Sequence, residues 1–136
     1  KLDNPDLIDY EFFENENSLP NGEFKNLDFL EEKFRNEGQS PIIMNFDHHY
    51  INEKIDNFSG AIIEDKKNKT QIIYELGEKY KYWVLWNCGK SPNFISLEPQ
   101  TCIIDSPNLE IEENGLIKIS PNNYFEEFMK ITSKKI

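Results

Sequence analysis

Residues that cross-link, ligate or span are scarce in this chain. Its 136 residues include two cysteines, two histidines, two methionines and six glycines. Cys88 and Cys102 are too few for a disulfide framework, so an apolar core and a reducing, cytoplasmic setting are expected. No apolar run approaches the ~18 residues of a membrane-spanning helix. The opening stretch Lys1-Leu-Asp-Asn-Pro-Asp-Leu7 has neither a basic nor an apolar leader region, so no signal peptide is expected of it. It also lacks an initiator Met, and the expectation is a processed N-terminus or a piece of a longer chain. Basic residues are few as well: 15 Lys and Arg stand against 25 Asp and Glu, a formal net charge of −10. So acidic a surface repels phosphate backbones and anionic bilayers, which excludes nucleic acid and membrane as expected partners. There is no Ser-His-Asp pattern with a nucleophile elbow, no Gly-rich phosphate loop and no CxxC pair.

Aromatic residues are plentiful: ten Phe, six Tyr and two Trp. They supply large buried area despite a mean hydropathy of −0.69. The length suits one domain with a real core. Short β-branched or aromatic runs recur with turns between them: Leu7 to Phe13, Gly60 to Ile63, Gln71 to Tyr74, Tyr82 to Trp86, Phe94 to Leu97, Leu116 to Ser120 and Tyr124 to Thr132. Ile42 to Phe46 is a further apolar run leading into Asp47. Ser18 to Gly22 and Asp65 to Lys69 read as turns. Phe24, Leu27, Leu30 and Phe34 have helical spacing that Phe29 breaks, so a short helix or an irregular loop is expected there. The pattern is all-β, mainly antiparallel, with at most one short helix.

The stretch Phe94-Ile-Ser-Leu-Glu-Pro-Gln100 places a carboxylate in an apolar strand. Pro99 cannot donate to a ladder, so Glu98 is expected at the last strand position, partly desolvated and able to act as a base. The alternative is a surface residue at a sheet edge. In Asn45-Phe-Asp-His-His-Tyr50, period-two alternation puts Asp47 and His49 on one face and His48 on the other with Phe46 and Tyr50. A shared metal is awkward with that geometry, so no metal site is expected, and His48 reads as a solvated strand residue. Asp47 reads either as an acceptor for a polar ligand or as a strand-end residue bonding backbone. Two carboxylates at strand ends suggest sugar chemistry, either hydrolysis or hydroxyl binding. Trp83 and Trp86 are three apart and cannot both face the core. One of them is free to stack on a sugar ring, or to pack against a loop.

Ile95-Ser-Leu-Glu-Pro-Gln-Thr-Cys-Ile-Ile-Asp-Ser-Pro-Asn108, with Asn114-Gly-Leu-Ile-Lys-Ile-Ser-Pro-Asn-Asn-Tyr-Phe125 beyond it, resembles the closing segment of aldose 1-epimerases, the galactose mutarotase-like proteins. Ser18-Leu-Pro-Asn-Gly-Glu23, Asn45 to Tyr50 and Tyr82 to Trp86 resemble earlier segments of the family in the same order. The resemblance implies that residues 1–136 are the C-terminal portion of one galactose mutarotase-like β-supersandwich domain. It implies interconversion of the α and β anomers of an unphosphorylated hexose. In that reading Glu98 is the base at the anomeric hydroxyl, while Asp47, His49, Trp86 and Gln100 bind substrate. No cofactor is required. The family's acid histidine lies upstream of everything seen here, and His48-His49 does not supply it. The implied partners are a small-molecule sugar and either the missing N-terminal half or a second copy, because a half-sandwich leaves sheet edges unpaired. Arg35 and Lys81 form no phosphate pattern, which speaks against a hexose phosphate. The rival expectations are a non-catalytic carbohydrate-binding β-sandwich and a glycoside hydrolase-like module.

Overall fold

The computed structural model describes residues 9–12, 20–54, 57–89, 94–109 and 114–136. Among these residues eight strands and one α-helix follow in the order β1 (Asp9–Phe12), β2 (Pro20–Lys25), α1 (Phe29–Glu37), β3 (Asp47–Ile51), β4 (Gly60–Asp65), β5 (Thr70–Leu76), β6 (Tyr82–Trp86), β7 (Ser96–Gln100) and β8 (Met129–Lys135). They form two antiparallel sheets, one ordered β2-β1-β3-β6-β7 and one ordered β4-β5-β8. Among the described residues no helix is long and apolar enough to cross a membrane.

Strand β6 fixes the sandwich because its alternate side chains serve two faces. Trp83 and Leu85 point into the core with Tyr50 of β3 and Leu97 of β7. Ala61 and Leu76 from the second sheet close that core from the other side, and Phe34 of α1 seals its margin against Phe46, ring centroids 4.6 Å apart. Tyr74 of β5 meets Trp83 edge-on at 6.4 Å, so the two sheets touch through an aromatic pair.

Helix α1 begins later than apolar spacing suggests. Phe24 is held in β2 opposite Tyr10, and the start signal lies at Asp28. Asp28 Oδ1 accepts from the backbone N–H groups of Leu30 and Glu31 at 2.8 and 2.9 Å, while Glu31 Oε2 accepts from Asp28 N–H at 2.7 Å. This reciprocal box satisfies amides that the helix itself leaves open. Phe29, the residue that broke the apolar spacing, is 79% exposed.

Four other expectations are corrected. Ile42 to Phe46 is a turn and bend, and β3 starts at Asp47. Asn87 holds that loop off the ladder with its side chain. Leu116 to Ser120 forms no regular strand, and β8 begins at Met129, after most of the apolar run from Tyr124. Asn21-Gly22 lies inside β2 rather than in a turn, while Ser18 and Leu19 fall outside the described residues, as do Leu7, Ile8 and Phe13 at the ends of the first run. The Asp65 to Lys69 turn is present: Asp65 closes β4, its carboxylate accepts from Asn68 N–H at 3.0 Å, and Lys69 turns with φ 51° into β5.

Candidate active site

The residues singled out from sequence converge on one face of the five-stranded sheet. Register sets three rows across β3, β6 and β7. Asp47, Trp86 and Ser96 form the first, His49, Val84 and Glu98 the second, and Ile51, Tyr82 and Gln100 the third. Side chains of paired residues share a face, and so do residues two apart. Asp47, His49, Trp86, Glu98 and Gln100 are therefore co-facial, opposite to the core. Two strand spacings of ~4.8 Å and one same-face step of ~6.7 Å put the backbones of Asp47 and Glu98 about 12 Å apart.

Glu98 is not where Pro99 led us to expect it. Strand β7 continues through Pro99, which pairs with Trp83, to Gln100. The proline is tolerated because β7 is the edge strand of its sheet. The same edge position leaves the Glu98 carboxylate exposed rather than partly desolvated. Ser96, two residues earlier on the same face, donates its hydroxyl to Glu98 Oε1 at 2.9 Å.

His49 has the opposite environment. It is 1% exposed, so its ring does not meet solvent directly, and its Nε2 lies 3.3 Å from Gln100 Oε1. Burial holds its pKa below the ordinary 6.5, against the opposing pull of the Gln100 contact and the Glu98 charge. The ring thus positions Gln100 from behind. Because the folded state binds this proton less readily than the unfolded chain, His49 favours folding above pH 6.5 and disfavours it as the pH falls further. Urea midpoints measured between pH 7.5 and 5.5 are expected to fall, and His49→Gln is expected to flatten that decline.

His48 faces the other side of β3, its ring edge-on to Tyr50 at 6.5 Å; it is half-buried rather than solvated. Among the described residues no group of three or more His, Cys, Asp or Glu is placed to hold a metal ion.

One end of the face is aromatic. Trp86 is 39% exposed and its ring lies 5.3 Å from that of Phe94, itself 44% exposed. Trp83 takes the buried role, as their three-residue spacing requires. The other end is walled by the loop after β7, where Ile103 buries Tyr82 with help from Ile51 and Leu109. That loop is tied by Asn114, whose amide donates to the Ser106 carbonyl at 3.0 Å, and by Ile103 N–H to the Asn114 carbonyl at 3.2 Å. Gly115 follows with φ 74°, where a Cβ would strike the Thr101 carbonyl and the Tyr82 ring. A cleft of about 480 Å³ lies beyond this wall, lined by Lys79, Lys81, Tyr82 and Asn114 among others. Arg35 is engaged elsewhere, its Nη2 donating to Glu32 Oε2 at 2.6 Å on α1.

Sequence reasoning missed Ser96 and Phe94 as site residues. Ser96 had a signal, its two-residue spacing from Glu98. Phe94 had none, since its contact with Trp86 is set by the path of the chain into β7.

The architecture has a counterpart among solved structures. The chain superposes over its whole length, with a TM-score of 0.79 and 22% identity, on a galactose mutarotase-like protein from Clostridium acetobutylicum. The chain has a galactose mutarotase-like fold. It covers 41% of that protein's chain, so it supplies less than half of that protein's structure. By sequence the chain matches no family model and no curated protein.

Proposed function

We propose that this chain is the C-terminal, base-bearing portion of a sugar mutarotase, acting on an unphosphorylated hexose. One observation carries the reading: on a mutarotase-like fold, Glu98 stands exposed on a sheet face that it shares with Asp47, Trp86 and Gln100. Mutarotation needs a base at the anomeric hydroxyl and an acid at the ring oxygen. The Glu98 carboxylate takes the proton from that hydroxyl. The bond from C1 to the ring oxygen opens as the acid protonates that oxygen. The free aldehyde rotates, and reclosure on the other face returns both protons. Ser96 steadies the carboxylate, and His49 orients the Gln100 amide from below. Asp47 accepts from hydroxyls at the far end of the sugar. No cofactor enters. The acid comes from outside residues 1–136, so the chain by itself is expected to give little acceleration. Two free cysteines, Cys88 and Cys102, support a cytoplasmic setting.

The exposure of Glu98 favours one second reading, a carbohydrate-binding β-sandwich in which Glu98 only accepts from hydroxyls. The Glu98→Gln variant separates the two. Emission from Trp86 reports aldohexose binding, and polarimetry of fresh α-D-glucose and α-D-galactose reports turnover. The mutarotase reading expects Glu98→Gln to remove the acceleration that the chain gives, with affinity within about threefold of the parent. A parent chain that binds, and whose residual acceleration Glu98→Gln leaves unchanged, supports the lectin-like reading. A chain with no affinity for either sugar ends both. A rate near that of a complete mutarotase overturns the placement of the acid elsewhere.

A further inference from the structure

The inner face of the three-stranded sheet is unevenly covered. Ala61 of β4, Tyr74 of β5 and Ile131 of β8 stand in one row. Ala61 is fully buried and Tyr74 half-buried, whereas Ile131 is 52% exposed. In the neighbouring row Leu76 is 5% exposed and its β8 partner Met129 46%. The five-stranded sheet therefore lies over β4 and β5 and stops short of β8. Phe128 and Ile136, at either end of β8, are 55% and 52% exposed. Met129 and Ile131 therefore form an exposed apolar pair on the inner face. Apolar surface concentrated in this way marks a contact face. Strand β8 pairs with β5 on one side, and among the described residues no strand takes its other edge.

A second copy of the chain suits this edge poorly. Two β8 strands paired about Thr132 would set Lys130 against Lys134, and each chain carries a net charge of −10. Like charges directly opposite one another are destabilising, and lysines on an edge strand oppose self-pairing. The fold names a better occupant. The chain covers 41% of the mutarotase-like structure it superposes on, so that fold contains strands this chain does not supply.

We propose that the inner face of β8, where Met129 and Ile131 stand exposed, is the seam on which the remaining strands of the mutarotase-like fold dock. They add a strand at the outer edge of β8 and cover Met129 and Ile131. The occupant is a β-strand layer that is apolar on the side facing this sheet. The inference rests on the fold and not on sugar chemistry, so it stands or falls separately from the mutarotase reading.

The test uses this 136-residue chain alone, and a chimera in which it replaces the matched 41% of the Clostridium acetobutylicum protein. The isolated chain is expected to sediment as a monomer and to enhance the emission of an anilinonaphthalene dye. Ile131→Asp should remove at least half of that enhancement while leaving the urea midpoint in place. In the chimera the dye signal is expected to vanish, and the amides of β8 to exchange at least tenfold more slowly. A dimer dissociated by Ile131→Asp assigns the seam to a second copy and overturns the proposal. So does an isolated chain that is silent to the dye, or a folded chimera whose β8 exchanges as fast as before. If the chimera does not fold, the sedimentation and dye results on the isolated chain decide.

Discussion

Replacing Asn87 by alanine is expected to cost about 4 kcal/mol of stability and to loosen the chain leading to Asp47. Asn87 follows β6 directly and is completely buried. Its Oδ1 accepts from Phe46 N–H at 3.0 Å, and its Nδ2 donates to the carbonyls of Pro41 and Met44 at 2.6 and 2.9 Å. Its own backbone N–H reaches the Phe46 carbonyl at 3.2 Å. One side chain thus gathers the three backbone groups of a loop that pairs with no strand. Alanine keeps the backbone bond and removes the other three. Each of the three backbone partners left dry costs about 1–3 kcal/mol, at the low end where water reaches it. Aspartate is no remedy, since it presents a second oxygen to two carbonyls. Urea unfolding of Asn87→Ala and Asn87→Asp checks this, with a common denaturant slope expected. A loss below about 1 kcal/mol would mean that water or neighbouring groups hold the loop without Asn87.

That loop illustrates what the sequence could and could not disclose. Ile42-Ile43-Met44 is a contiguous apolar run that leads into a strand, and no local signal shows that an asparagine some forty residues on claims the Pro41 and Met44 carbonyls. Pro99 misled for a related reason. A proline ends pairing inside a sheet but not at its edge, and edge position is a property of strand order, which a single chain segment does not carry. The start of α1 was readable in principle, since Asp28 and Glu31 have the spacing of a capping box, but apolar periodicity drew the boundary back to Phe24. Where two-residue periodicity operated, the reading was sound. Only one of Trp83 and Trp86 is buried, and Asp47 and His49 share a face, as Glu98 and Gln100 also do. Bringing those pairs together needed β3, β6 and β7 side by side in register. Their exposures were beyond the sequence as well. Glu98 was read either as partly desolvated or as a surface residue at a sheet edge, and it is the second, while His49 was expected to touch substrate and is buried, with its Nε2 against Gln100.

Trp83→Ala is expected to be the other severe substitution, costing about 4 kcal/mol. The indole is 2% exposed and sits in the middle strand of three, between Tyr50 and Pro99, with Tyr74 of the opposite sheet against it at 6.4 Å. Truncation leaves a cavity where the two sheets meet, and a typical domain has only about 5–15 kcal/mol in total to lose. The polar end of the ring has a separate task. Its Nε1 donates to Asn52 Oδ1 at 3.1 Å, and the Asn52 amide donates in turn to Ser59 Oγ and the Tyr80 carbonyl, both at 2.8 Å. Trp83→Phe keeps most of the packing and deletes that donor, so it is expected to cost about 1–2 kcal/mol. Thermal unfolding followed by near-ultraviolet dichroism resolves the two variants. Should phenylalanine cost as much as alanine, the sheets are joined at this point chiefly through the Asn52 hydrogen-bond chain, and the aromatic contact with Tyr74 is incidental. If phenylalanine costs nothing, the ring alone carries the junction.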